Sequence, residues 1–346
     1  MYERAFEQRV TGTKADAASG TLKNDEIRTG NSMSIYAQNR FEINSAFSIT
    51  AGLRGEFYNY ERNVLRTNEV DTSIISEDFT AQVIPGIGFD YSVNNNIVLF
   101  GGIHRGFAPP RVKDAISNNG DVYNLDPELS WNSELGIRSN IDEFLKLEFT
   151  GFYMDFSNQI IPISESSGGN GSGVINGGST IHAGIEIGFD FNFGKFFMPD
   201  NFTLSLLGNG SYIKAYYNED RFKEVDGEPV NIKDNRTPYS PEVLASSTLL
   251  FSAPFGLSIN LTGTYVGDQF TDELNTISAS NNGRIGHLDS YYTINGGVQY
   301  RIEKIETTLN ISVKNLTDNR YITSRRPQGI RVGLPTYFSF GIDKLF

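Results

Sequence analysis

The stretch Tyr337-Phe338-Ser339-Phe340-Gly341-Ile342-Asp343-Lys344-Leu345-Phe346 closes the sequence and decides how the rest of it is read. Successive side chains of an extended strand point to opposite faces, so Phe338, Phe340, Ile342 and Phe346 fall on one side and Ser339, Gly341 and Asp343 on the other. One side suits lipid and the other suits water, as in the final strand of a transmembrane β-barrel. A strand of a soluble sandwich alternates too, so the reading rests on recurrence of the pattern along the chain.

It does recur. Alternation bounded by turn residues predicts about fourteen strands, over 2–13, 32–43, 46–61, 80–93, 96–107, 130–141, 144–157, 179–193, 201–217, 241–252, 255–270, 288–302, 305–318 and 332–346. In 179–193, Ile181, Ala183, Ile185, Ile187, Phe189, Phe191 and Phe193 share one face and Thr180, His182, Gly184, Glu186, Gly188, Asp190 and Asn192 the other. In 46–61, Phe47, Ile49, Ala51, Leu53 and Phe57 oppose Ser48, Thr50, Gly52, Arg54, Glu56 and Tyr58. The connections alternate strictly between two kinds. Short turns fall at 44–45, 94–95, 142–143, 194–200, 253–254 and 303–304, and long polar loops at 14–31, 62–79, 108–129, 158–178, 218–240, 271–287 and 319–331. Short inner turns and long outer loops are the habit of outer-membrane barrels.

Composition agrees. Only 38% of the 346 residues are hydrophobic, with 35 glycines, 12% aromatics and no cysteine, and no run approaches the roughly 20 apolar residues of a membrane helix. A barrel needs apolar side chains at alternate positions only, because its backbone bonds are closed within the cylinder. Absence of cysteine fits a chain that crosses an oxidising periplasm without disulfides. The net charge of −12, with no basic stripe interleaved with aromatics, argues against a nucleic-acid partner. The opening residues 1–7 contain no apolar signal-peptide core, which reads as a mature or partial chain.

Four motifs follow one another in a recognisable order: Arg105-Gly106-Phe107-Ala108-Pro109-Pro110; Leu125-Asp126-Pro127-Glu128-Leu129-Ser130 with Glu134-Leu135-Gly136-Ile137-Arg138; Pro238-Tyr239-Ser240-Pro241-Glu242; and Lys314-Asn315-Leu316-Thr317-Asp318-Asn319-Arg320-Tyr321. Over residues 32–346 the chain resembles the TonB-dependent outer-membrane receptors. Tyr36-Ala37-Gln38-Asn39-Arg40-Phe41 and Ser324-Arg325-Arg326-Pro327-Gln328-Gly329-Ile330-Arg331 look like the ferric dicitrate receptor branch. The resemblance implies an all-β fold: a transmembrane antiparallel β-barrel of roughly 22 strands, about fourteen of them present. The family's N-terminal plug and TonB-contacting box have no counterpart, so residues 1–346 read as one domain, the C-terminal part of the barrel. It further implies uptake of a ferric chelate, ferric citrate or another iron–siderophore complex. That uptake would be driven by TonB, ExbB and ExbD through the missing N-terminal region, in the outer membrane of a Gram-negative bacterium. Iron would travel as substrate inside its chelator, with no resident cofactor, no catalytic residue and no metal ligand from the protein. Terminal Phe346 would serve recognition by the barrel-assembly machinery, although Lys344 stands where the family often has an aromatic residue.

Candidate ligand contacts are arginines. Arg325, Arg326 and Arg331, with Gln328, bring three positive charges into one outer loop of an acidic chain, and guanidinium forks match the carboxylates of a citrate chelate. Arg62, Arg66, Arg105 and Arg111 sit at strand tips or in outer loops. Solvated, salt-bridged loop roles compete with ligand contact for all seven. Pro109-Pro110, Pro238 and Pro241 read as strand terminators and entry turns, since proline cannot donate to a ladder. His182 and Glu186 share the lumen face but lie about 13 Å apart along a strand, too far to ligate one metal. His104 and His287 lie near the outer rim. Two other functions stay open at this point: a passive pore closed from these fourteen strands alone, and a barrel enzyme in which rim carboxylates meet His104 or His287.

Overall fold

The structure is a computed structural model. It describes residues 2–14, 19–117, 119–122, 125–142, 144–162, 174–176, 178–199, 201–225, 227–326 and 329–344. Gln328, Phe346 and most of the Gly/Ser/Asn-rich 164–179 loop lie outside the described residues.

The strands, in chain order, are β1 (Tyr2–Gly12), β2 (Leu22–Glu42), β3 (Phe47–Thr67), β4 (Val70–Asn94), β5 (Ile97–Ala108), β6 (Glu128–Ile141), β7 (Leu145–Ser157), β8 (Ile160–Pro162), β9 (Val174–Asn176), β10 (Thr180–Asn192), β11 (Thr203–Tyr217), β12 (Phe222–Val225), β13 (Glu228–Asn231), β14 (Val243–Ser252), β15 (Leu257–Val266), β16 (Tyr291–Ile302), β17 (Thr307–Lys314), β18 (Ile322–Ser324), β19 (Arg331–Val332) and β20 (Tyr337–Lys344). Fourteen of them form one antiparallel sheet in the order β1-β2-β3-β4-β5-β6-β7-β10-β11-β14-β15-β16-β17-β20. Each sequence-predicted strand is there, paired with its neighbours in the chain. The six others form three hairpins within outer connections. Within the sheet β1 pairs only with β2 and β20 only with β17, so its two edges are not joined to each other among the described residues.

Register turns the alternation of each strand into continuous rows across the sheet. Phe340 lies opposite Ile311, Ile311 opposite Val298, Val298 opposite Ile259, Ile259 opposite Phe251 and Phe251 opposite Leu204. This row is solvent-facing in the isolated chain, with Phe340 77% exposed. Soluble proteins do not leave apolar belts of this extent uncovered, and hydrocarbon covers this one. Aromatics bracket it. On β16, Tyr292 and Tyr300 flank Ile294 and Val298, and eight residues at a rise of about 3.3 Å, tilted by about 40°, separate the tyrosines by roughly 20 Å in height, close to an outer-membrane apolar band. At the inner end, Phe144, Phe191 and Phe196 pack with ring centroids 5.3–6.3 Å apart around the short helical turn Phe193–Phe196. The opposite face pairs polar with polar: Thr248 with Thr262 at 2.8 Å and Ser312 with Ser339 at 2.6 Å.

The inner turns match expectation and the outer ones depart from it. The loops expected at 14–31 and 62–79 are largely strand: β2 starts at Leu22, and β3 and β4 run on to a two-residue turn at Asn68-Glu69, where φ is 49° and 71°. Such a turn matches strand twist and closes a hairpin directly. Beyond the bilayer the alternation of hydrophobicity fades, because the outward face of the hairpin meets water while its inward face mixes buried Tyr60, Arg62 and Val64, with Tyr60 and Arg62 packed against the β5–β6 connection; Val64, Ile74 and Ile75 still favour strand. Conversely, β15 stops at Val266, β16 begins at Tyr291, β17 stops at Lys314 and β20 begins at Tyr337.

Asn315 explains the stop after β17. It takes φ 48°, and its side-chain Nδ2 donates to the carbonyls of Asn319 and Leu334, each at 2.9 Å, while its Oδ1 accepts from Asn319 N at 3.0 Å. One buried amide thus ties together both ends of the last outer connection, and Tyr321 stacks on Tyr291 at 4.0 Å beside it. These contacts give a structural reason for the Asn315-to-Tyr321 motif.

The two faces predict opposite responses at adjacent positions. On β15, Ile259→Arg places a charge in the apolar row and should lower the unfolding free energy of the intact protein in lipid vesicles by about 2–4 kcal/mol. Asn260→Arg, on the polar face, should leave it nearly unchanged, as read by urea titration of both variants.

Candidate ligand site at the mouth of the barrel

Polar-face residues of β1–β3 carry the densest charge. Glu26 lies between Arg28 and Arg62: Arg62 Nε donates to Glu26 Oε2 at 2.6 Å, a second guanidinium nitrogen of Arg62 pairs with the same oxygen, and Arg28 pairs with Glu26 and with Glu7, the latter at 3.0 Å. Arg62 is 3% exposed. Its Nη1 donates to the carbonyl of Ile116, in the β5–β6 connection. That connection begins where Pro109-Pro110 ends β5, makes one helical turn, α1 (Val112–Ala115), and folds back onto the polar face. Ala115 and Ile116 are fully buried against Tyr58 and Tyr60, and Ser76 Oγ donates to the Gly120 carbonyl at 2.6 Å. Deeper in the lumen Glu56, 2% exposed, accepts from Ser34 at 2.6 Å and pairs with Arg54.

Two cavities adjoin this network. One, of about 170 Å³, is lined by Arg9, Asn24, Glu26, Arg28 and Arg66, and the other, of about 390 Å³, by Glu7, Arg9, Arg28 and Arg111. Arg66 pairs with the exposed Asp71 at 2.6 Å, and Arg111 is exposed at the start of α1. Three expected contacts, Arg62, Arg66 and Arg111, therefore lie in one region of the mouth. The sequence reading missed Arg9 and Arg28, although their alternation with Val10 and Ile27 was a usable signal.

The C-terminal arginines lie elsewhere, in a layer built from three outer connections. Asn275 pairs with the backbone of Arg236 in both directions at 2.8 Å. Fully buried Glu273 pairs with Lys223 at 2.8 Å and with Arg221 at 3.5 Å. Arg236 reaches Asp268 Oδ2 at 2.9 Å, and His287 meets the same oxygen at 3.2 Å. Arg325, 7% exposed, crosses to this layer: its backbone N–H donates to the Tyr239 hydroxyl at 3.1 Å, and its guanidinium to the carbonyls of Gly283 at 3.4 Å and His287 at 3.5 Å. Arg326 lies 3.6 Å above the Tyr239 ring. Tyr239 and Arg326, with His182, Tyr217, Glu128 and Glu273, line a cavity of about 350 Å³. Arg331 pairs through its backbone with Ser324 and has an exposed side chain.

Arg105 stands apart from both groups. It has the outward parity of β5, opposite Trp131, and its guanidinium sits 5.5 Å from the Trp131 ring. The neighbouring His104 has the polar-face parity and approaches Asn132 at 3.3 Å. His182 faces Thr180 at 3.1 Å. Among the described residues no group of three or more His, Asp or Glu side chains is placed to hold a metal ion. His287 does meet rim carboxylates, Asp268 and Asp289, in a cluster that includes Arg236 and joins outer connections.

Arg62→Ala leaves Glu26 beside a single buried partner and frees the Ile116 carbonyl, so it should destabilise the intact protein by about 3–5 kcal/mol and open the β5–β6 connection to protease first. Burial raises the Asp268 carboxyl, but hydrogen bonds from His287 and Arg236 outweigh it, and its pKa lies below the ordinary aspartate value. A depressed folded-state pKa means that the contribution is present above the unfolded value, about 3.9, and lost as pH falls through the folded value. Proteolysis of the 267–290 connection should thus be flat from neutral pH down to about 5 and rise below about 4, and Asp268→Asn should flatten that rise.

Comparison with known proteins places this architecture. The family described as "TonB dependent receptor-like, beta-barrel" matches residues 2–316. The ferric citrate transporter FecA in its unliganded form superposes with a TM-score of 0.78 at 22% identity, over 99% of this chain and 50% of that one. The siderophore receptor PiuA from Acinetobacter baumannii gives 0.70 at 17% identity, over 92% of this chain and 43% of that one. The ferric-catecholate import receptor Fiu from Escherichia coli K12, in its closed form, gives 0.72 at 16% identity, over 99% and 50%. The chain thus spans about half the length of these structures, and at such identities the likeness is one of fold. With the family match running through thirteen of the fourteen sheet strands, the chain belongs to the TonB-dependent receptor β-barrel family, a family of outer-membrane receptors.

Proposed function

We propose that this chain supplies a sector of an outer-membrane transporter that takes up a ferric chelate, with ferric citrate the first candidate, powered by TonB, ExbB and ExbD in a Gram-negative bacterium. The observation that carries the reading is the concentration of arginine at the mouth of a polar-lined sheet in a chain of net charge −12. Arg9, Arg28, Arg66 and Arg111 line two adjoining cavities, and Arg326 and Arg331 lie in the last outer connection. Guanidinium forks suit a carboxylate-rich anion. The fold similarity to a ferric citrate transporter is consistent with this choice. In this account Arg62 and Arg325, buried and bonded to backbone carbonyls of other connections, hold the mouth together. Arg105, on the outward face, does not meet the chelate, and the iron stays ligated by its chelator. A passive pore closed by these strands alone would need a ladder between β1 and β20, which do not pair among the described residues. Among the barrel's partners we include the lipid around the apolar belt and the assembly machinery that inserts it. No catalytic role is assigned.

Calorimetry of ferric citrate on the intact protein tests the assignment. Losing a charged hydrogen bond costs about 1.5–3 kcal/mol, so Arg9→Ala with Arg66→Ala, or Arg326→Ala with Arg331→Ala, should weaken binding by about 10-fold or more, and Arg105→Ala should not. Absence of binding by the unmodified protein would remove citrate and send the search to other chelates.

A further inference from the structure

The polar face of the sheet is divided into two walls of different chemistry. From β1 to β10 its mid-strand positions carry charge, including Arg54 and Glu56 on β3, Glu134 and Arg138 on β6, Glu148 on β7 and Glu186 on β10. Several are paired, as Arg138 with Glu148 at 2.7 Å. From β11 to β20 the polar-face positions carry no charged side chain except within two residues of a strand end, at Arg301, Lys314 and Asp343. Mid-strand they are uncharged: Leu207, Asn209 and Ile213 on β11, Ser246, Thr248 and Leu250 on β14, and from β15 onward small hydroxyls and amides, Thr262 and Thr264 on β15, Asn295 on β16, Ser312 on β17 and Ser339 on β20. Neighbouring hydroxyls satisfy one another, as in Thr248 with Thr262 and Ser312 with Ser339.

The contrast matters for anything that moves through the lumen. Passage requires contacts favourable enough to replace water and weak enough to release. Fixed charges in a confined, low-dielectric lumen hold or repel an anion strongly. An uncharged surface, whose hydroxyls and amides lie among a few aliphatic side chains, offers weak, equivalent hydrogen bonds and no deep well. We propose that hydrophilic, anionic solute crosses the barrel along the β11–β20 wall, and that the β1–β10 wall is the holding side of the lumen. This rests on the transport reading above.

Because residues 1–346 contain no cysteine, single thiols report each wall. In the intact protein, with any cysteine outside these residues replaced by serine, Thr262→Cys, Asn295→Cys and Ser312→Cys sample the neutral wall, and Gln82→Cys and Thr150→Cys the charged one. Intact energised cells are treated with a sulfonated, membrane-impermeant maleimide, and uptake of radiolabelled ferric citrate is then measured. Total labelling after urea denaturation normalises for folded protein. The neutral-wall thiols should react on the order of 10-fold faster, the response expected of a solvent-open path, and their modification should reduce uptake more than modification of the charged wall does. Equal rates on the two walls, or faster labelling of the charged one, would overturn the path. If cells take up no ferric citrate while the labelling difference persists, the ligand assignment fails and the path stands.

Discussion

Every backbone N–H and C=O in the hydrocarbon layer must find a partner inside the protein, since lipid offers none. An antiparallel sheet meets this with neighbour-to-neighbour ladders, and the fourteen strands here are joined in chain order with two register shifts in the outer ends of β2 and β3 and others beside β1 and the β4–β5 turn. Once the ladders are fixed, strand parity fixes everything else. A side chain in phase with Phe340 and Ile311 faces lipid, and one in phase with Ser339 and Ser312 faces the lumen. The inner turns have little freedom: Gly256 takes φ 92°, and a Cβ there would lie 2.3 Å from the Arg301 carbonyl oxygen.

Outside the bilayer the constraint is relaxed, and other interactions organise the chain. Side chains take over the joining role that ladders play below. Glu26 collects Arg28 and Arg62, Arg62 holds the returning β5–β6 connection by its backbone, and Arg325 does the same for the connections around Gly283 and His287. Buried ion pairs of this kind pay for desolvation and add little net stability, but removing one partner is costly. Their effect is to give the mouth one arrangement, against which the exposed Arg9, Arg111 and Arg331 are presented.

The membrane-spanning part was legible because its physics is one-dimensional. Ile181 to Phe191 alternate strictly, and their structure could be read without knowing any partner. The projecting β3–β4 hairpin was not legible, because its outward face meets water while its inward face buries Arg62 beside Val64 under another connection, which erases the alternation. Arginine in outer segments could be seen, but its role could not. Arg62 and Arg9 look alike in sequence, yet one is buried against Glu26 and Ile116 and the other is exposed, and that difference depends on a connection some fifty residues away in the chain. The parity of Arg105 was available in the alternation of β5 and would have directed it outward, opposite Trp131.

One register divides every strand of the sheet into a lipid face and a lumen face. Spin labels placed singly from Thr180 to Asn192, in the intact protein in lipid vesicles, would test it through accessibility to oxygen and to a water-soluble nickel chelate. Oxygen accessibility should peak at Ile181, Ala183, Ile185, Ile187 and Phe189 and nickel accessibility at His182, Gly184, Glu186 and Gly188, the two profiles running out of phase with a period of two. Profiles in phase, or without that period, would contradict it.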